Sequence, residues 1–130
     1  MEFTVSTIIK AKAFDIFEGW LNSEIHTKMT GGEAVINNEN HSKFSNWDGY
    51  IQGENVEIKP NFIKQSWRTT EFDEDQQDSI IEIHFDEIAS SETKIILHHS
   101  HLLEKDLHYK KGWEDHYFEP MKLYFESSKL

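Results

Sequence analysis

Apolar and polar positions alternate with period two from Glu2 to Lys10, with Phe3, Val5, Thr7 and Ile9 on one side and Thr4, Ser6 and Ile8 on the other. β-Branched residues in that alternation predict a strand. The period then changes. Ala13, Ile16, Phe17, Trp20 and Leu21 recur at helical spacing and predict an amphipathic helix over Ala11 to Leu21. Asn22-Ser23 interrupts it, and Ser23 is read as the N-cap of a second short helix through Met29, ended by Thr30-Gly31-Gly32. Period two returns over Glu33 to Asn37, Ser42 to Trp47, Tyr50 to Ile58, Phe62 to Phe72, Ser79 to Ala89 and Glu92 to Leu102. Turn signals separate these strands: Asn38-Glu39-Asn40, Asp48-Gly49, Lys59-Pro60-Asn61, an acidic loop from Asp73 to Asp78, and Ser90-Ser91. Gly53 is read as a bulge. After a loop from Leu103 to His108, a final helix is predicted from Tyr109 to Ser128, with a kink near Tyr117 because Pro120 removes one backbone donor.

A series of hairpins must bury one face. The final helix offers the cover, since Trp113, Tyr117, Met121 and Tyr124 recur every three to four positions. The fold class expected is therefore α+β: one curved antiparallel sheet, two short helices, and a long C-terminal helix packed in the sheet's concavity, as a single domain over residues 1–130.

Composition narrows the function. The net charge is −11 and Arg68 is the only arginine, so phosphates cannot be gathered and nucleic acid is not an expected partner. No apolar stretch approaches the roughly 20 residues that span a bilayer, so neither is a membrane. With no cysteine there is neither disulfide nor thiolate chemistry. The N-terminus lacks a basic stretch followed by an apolar run, so no signal peptide is read and a cytoplasmic location is expected.

Particular words along the chain carry a resemblance. Gly31-Gly32 is followed by Phe44, then Gly49-Tyr50-Ile51-Gln52-Gly53-Glu54, then Gln65-Ser66-Trp67-Arg68, then Thr93 to Ser100, and finally Gly112-Trp113 and Tyr117-Phe118-Glu119-Pro120-Met121-Lys122. Their order and spacing resemble the heat-shock-protein-90 ATPase activator homologue family. The element order resembles the helix-grip fold of the START-like, birch-pollen-allergen superfamily. The resemblance implies a cavity between sheet and long helix, and a heat-shock protein 90 type chaperone as a partner in a stress response.

Alternation suggests what lines such a cavity. Ile63, Gln65 and Trp67 share a strand face, as do Ile95, Leu97, His99 and His101. The candidate ligand-binding residues are Trp47, Trp67, His99, His101, Trp113, Tyr117 and Met121, an aromatic wall with His99 and Tyr117 as polar handles. A small apolar or aromatic ligand suits such a wall. His99 and His101 invite a zinc reading, but no third ligand is identifiable, and no metal or cofactor is expected. Ser100 beside His99 does not make a nucleophile, because adjacent strand residues face opposite ways. His99 with Tyr117 as acid and base would make a cyclase-like or aromatase-like enzyme, but no full catalytic set is legible, and a non-enzymatic binding domain is the leading expectation. A chaperone-interaction domain is the alternative. The acidic run Glu71 to Asp78 lacks the pattern of a calcium loop and is read as a solvated hairpin tip, with Arg68 an outward ion-pair partner.

Overall fold

A computed structural model describes residues 1–127. The strands are β1 (Phe3–Ile9), β2 (Lys43–Asn46), β3 (Ile51–Lys59), β4 (Phe62–Thr69), β5 (Ser79–Ala89) and β6 (Glu92–Ser100). They form one antiparallel sheet in the order β1-β6-β5-β4-β3-β2, so the first strand closes one edge beside the last and β2 forms the other. Helices α1 (Ala13–Trp20) and α2 (Ser23–Thr30) follow β1. After a short 3₁₀ turn over Glu104–Asp106, the C-terminal helix runs as α3 (Tyr109–Trp113), a π-turn over Glu114–Phe118, and α4 (Glu119–Ser127). Its predicted last residue, Ser128, lies outside the described residues. No helix among the described residues is long and apolar enough to cross a membrane.

The inward faces follow the alternation. Ile63, Gln65 and Trp67 of β4, Ile81, Ile83 and Phe85 of β5, and Ile95, Leu97 and His99 of β6 are all buried. The helix lays Tyr109, Trp113, Tyr117, Phe118, Met121 and Phe125 against that face. Tyr124, expected in the stripe, is only half-buried and Phe125 takes the core position.

Pro120 acts on this helix as a widened turn. It has no N–H for the His116 carbonyl, and its ring would crowd that oxygen in a regular helix. The turn before it opens instead, and the Glu119 amide donates to the Glu114 carbonyl five residues back. The extra residue lets Tyr117 and Phe118, neighbours in sequence, both point inward.

Three local expectations are corrected. Glu33 to Asn37 is not a strand and makes only a single bridge, Val35 with Ser45. Its backbone is taken by α2 side chains: Ser23 Oγ bonds the Ile36 amide and carbonyl, and Thr27 Oγ1 accepts from the Ala34 amide at 2.9 Å. Ser23 is thereby occupied, and Asn22 caps α2, its side chain accepting from the Ile25 amide at 2.9 Å. The bulge in β3 falls between Asn55 and Glu57, not at Gly53. Gly53 pairs regularly with Phe44, and a Cβ there would stand 1.9 Å from the Ser66 carbonyl oxygen and 2.8 Å from the Phe44 ring. Close approach of another backbone is the second reason for a glycine inside a strand. Arg68 does pair outward, with Asp78 at 2.6 Å, and also donates to the Gln76 and Asp73 carbonyls, so it ties down the acidic loop.

Candidate functional site

Between the sheet and the start of the C-terminal helix lies a cavity of about 190 Å³, lined by Trp47, Ile51, Trp67, Tyr109, Gly112, Trp113, His116 and Tyr117. The helix supplies five of these at positions 109, 112, 113, 116 and 117, one helical face with the spacing 3-1-3-1. Strands β3 and β4 supply Ile51 and Trp67, and the β2–β3 turn supplies Trp47.

The wall is an aromatic box. Trp67 stands edge-on to Tyr109 at 5.0 Å between centroids and tilted to Trp113 at 5.6 Å. Trp113 lies 4.9 Å from Tyr117, which in turn stacks on Trp20 at 5.0 Å. Trp47 closes the outer side. Its backbone is left-handed, with φ 54°, as are Asp48 and Gly49 in the turn that follows. That conformation is costly for a bulky side chain, about 1–2 kcal/mol. It is held because the indole packs against Gly32, where a Cβ would come within 2.4 Å of the ring, and beside the exposed His116 at 5.9 Å. Trp47 and Gly112 are half-buried, so the mouth of the cavity opens between them.

Two buried histidines stand behind this wall, each with its tautomer set by its partners. The Trp113 indole N–H can only donate, and it donates to His99 Nδ1 at 3.0 Å. His99 therefore carries its proton on Nε2 and donates to Ser79 Oγ at 2.8 Å, and Ser79 donates on to the Trp67 carbonyl at 2.9 Å. Burial, with a smaller contribution from His98, lowers the His99 pKa to about 3. Because the imidazole donates to the serine, it cannot act as the serine's base. His26 is the mirror case. Its Nδ1–H donates to the Trp20 carbonyl at 2.8 Å, which leaves Nε2 to accept from the Tyr117 hydroxyl at 3.0 Å. Burial lowers the His26 pKa to about 4, opposed by that backbone bond, and raises the Tyr117 hydroxyl far above its ordinary value.

Of the residues expected at the site, Trp47, Trp67, Trp113 and Tyr117 meet on the cavity wall. His99 lies behind Trp67 and Trp113, Met121 is fully buried further along the helix, and none of the wall belongs to either. His101 is elsewhere: β6 ends at Ser100, and His101 turns into a left-handed conformation, φ 63°, with an exposed side chain that meets Ser100 Oγ at 3.0 Å. The strand alternation that put it beside His99 has stopped by then, so the two imidazoles do not converge on one ion. His99 and Tyr117 do not form an acid–base pair either, since each spends its polar atoms on a different partner. Ile51, Tyr109, Gly112 and His116 were not foreseen. The three on the helix follow from the periodicity that marked Trp113 and Tyr117. Ile51 depends on the register of the β2–β3 turn.

The family model described as Activator of Hsp90 ATPase homolog 1-like protein matches residues 10–126. Among curated proteins, none matches the sequence. Several solved structures share the fold. A crystal structure of an HSP90 activator from Plasmodium falciparum superposes with TM-score 0.84 at 22% identity, covering 95% of this chain and 94% of that one. The Aha1 dimer from Colwellia psychrerythraea superposes with TM-score 0.72 at 13% identity, covering 88% of each chain. Ara h 8.0201 superposes with TM-score 0.73 at 14% identity, covering 98% of each. At these identities the likeness carries the fold alone, and the fold is the helix-grip fold. The match of the family model over residues 10–126, most of the chain, carries the membership: this chain belongs to the activator of Hsp90 ATPase homolog 1-like family.

Proposed function

We propose that this domain is a non-enzymatic binding module that holds a small, flat, mostly apolar molecule between the sheet and the C-terminal helix. The observation that supports it is the cavity of about 190 Å³ inside an aromatic wall. Native interiors leave few voids larger than a water molecule. An apolar cavity of about 150 Å³ is large enough to take benzene. The size favours one or two fused rings and excludes extended acyl chains and four-ring sterols, which need the larger pockets of about 300–1,000 Å³. The polar atoms behind the wall are bonded to one another in an order that leaves no base and no activated nucleophile, which favours binding over chemistry. The test is a panel of one- and two-ring aromatics, read by thermal shift and tryptophan emission. Binding to the folded state raises the midpoint by mass action. If no compound moves either signal, the proposal fails.

Family membership favours a second reading, interaction with a chaperone. The family is described by activation of the Hsp90 ATPase, and one structural neighbour is named an HSP90 activator. Its test is the ATPase rate of the cognate chaperone with and without this chain. An unchanged rate at saturating concentration rejects it.

A further inference from the structure

Five of the eight residues on the cavity wall are tryptophan or tyrosine: Trp47, Trp67, Tyr109, Trp113 and Tyr117. Neighbouring rings are inclined to one another, Trp67 to Tyr109 by 83° and to Trp113 by 40°, and Trp113 to Tyr117 by 46°. Rings set at such angles around one space turn faces as well as edges toward it. The face of an aromatic ring carries the negative part of its quadrupole, so a box of this kind favours positive charge.

The protein places no cation of its own in the box. No lysine or arginine is among the wall residues. The cation–π contacts recorded among the described residues are Lys59 with Phe62 and Arg68 with Phe72, and neither ring lines the cavity. Lys110 and Lys111 adjoin Gly112 in the chain, but both are exposed, and Lys111 pairs with Asp115 at 3.3 Å. His116, at the mouth, is the one wall residue that a proton would make cationic.

Negative charge stands at the Tyr109 end instead. The Tyr109 hydroxyl meets Thr69 Oγ1 at 2.5 Å, and that same oxygen accepts from the Glu71 amide at 3.1 Å. The Glu71 carboxylate accepts from the Tyr50 hydroxyl. Asp106, three residues before Tyr109, is 3% exposed and accepts from the Leu103 amide and from Gln76. Neither carboxylate makes a salt bridge among the described residues, and Lys105, beside Asp106 in the chain, pairs with Asp73 at 2.8 Å. Burial first, and then the charges of Glu71 and Asp106, push the Tyr109 hydroxyl above its ordinary value, against the opposing effect of its hydrogen bonds.

Resting on the cavity reading above, we infer that the flat ligand is a cation, a quaternary heteroaromatic whose positive charge is spread over an N-alkylated ring such as a quinolinium. A quaternary nitrogen has no N–H to satisfy, which matches a wall that offers π-faces and few polar atoms. Its charge is diffuse, so it leaves water at less cost than a compact ammonium.

Three probes that share one bicycle test the sign of the charge by calorimetry on the full chain at pH 8: 1-methylquinolinium, 4-methylquinoline and quinoline-4-carboxylate, positive, neutral and negative in turn. The cation should bind about tenfold more tightly than the neutral probe, and the anion weakest of the three. The preference should persist at about 0.5 M salt, which screens the exposed acidic surface. Trp47→Leu removes a half-buried ring, keeps an apolar side chain and leaves the net charge unchanged. It should cut the advantage of the cation about threefold or more while the neutral probe still binds. If the neutral probe binds the wild type as tightly as the cation, this inference is overturned while the cavity reading stands. A cation preference that vanishes at high salt, or that Trp47→Leu leaves intact, belongs to the acidic surface and overturns it as well. If none of the three binds, both readings fall together. Should Trp47→Leu not fold, the wild-type series at low and high salt still decides.

Discussion

At the scale of single residues, Trp113 does more than fill space. Its ring touches Trp67, Tyr117 and Trp20, and its N–H is the donor that sets the His99 tautomer. Trp113→Ala should destabilise the domain by about 3–5 kcal/mol. Trp113→Phe keeps a ring but leaves His99 Nδ1 unsatisfied, and should cost about 1–3 kcal/mol. Denaturant midpoints check both, and a wild-type midpoint for the alanine variant would refute the first. The two neutral histidines make a second prediction. Their folded pKa values, about 4 for His26 and about 3 for His99, lie below the unfolded value, so between there and about pH 6.5 the unfolded chain binds more protons. Stability is then fully present above the unfolded pKa and is lost as pH falls toward the folded values. From pH 7 to pH 5 the unfolding free energy should drop by about 2 kcal/mol per histidine. Equal unfolding free energies at the two pH values would contradict this.

At the scale of elements, the C-terminal helix does two jobs with different demands. Its second half packs against α2 and β1, with Phe125 also beside Gly19 of α1, and its first half lines the cavity. The π-turn divides the two and re-phases the buried face between them. Gly112 shows the difference. A glycine inside a helix costs about 1 kcal/mol relative to alanine, and nothing stands within 4 Å of where its Cβ would be. Gly112→Ala should therefore raise stability by about 0.5–1 kcal/mol. Gly112→Leu places a larger side chain at the mouth and should abolish the thermal shift given by aromatic ligands while the domain still unfolds cooperatively. Retention of the full ligand shift by the leucine variant would show that the mouth lies elsewhere.

For the whole molecule, a sheet edged by β1 and β2 and covered by one long helix leaves two kinds of surface. One is the interior box. The other is the acidic exterior, with net charge −11. A field of that sign steers a basic patch on another protein, and it is screened within about 8 Å at physiological salt. Any stimulation of a chaperone ATPase by this chain should therefore weaken as ionic strength rises from about 0.05 to 0.5 M. A salt-independent effect would mean that apolar contacts carry the interaction instead.

Much of the architecture was legible from local pattern. Side-chain period alone separates strand from helix, so β5 was read at its full length, Ser79–Ala89, and the last helix at its first residue, Tyr109. The inward triads of β4 and β5 and the helix face of Trp113 and Tyr117 follow from the same periods. The rest depended on partners distant in the chain. Glu33 to Asn37 alternates like a strand, yet α2 side chains hold its backbone. Gly53 reads as a bulge in one dimension, yet only the Ser66 carbonyl across the ladder explains it. The tautomers of His26 and His99 likewise emerge only from partners that the fold brings to them, the Trp20 carbonyl and the Trp113 indole. Sequence determined which residues face inward, because that is a property of local geometry. Tertiary structure decided which of them meet, and which nitrogen of each buried histidine carries the proton, because hydrogen-bond satisfaction is counted over the whole buried network and not along the chain.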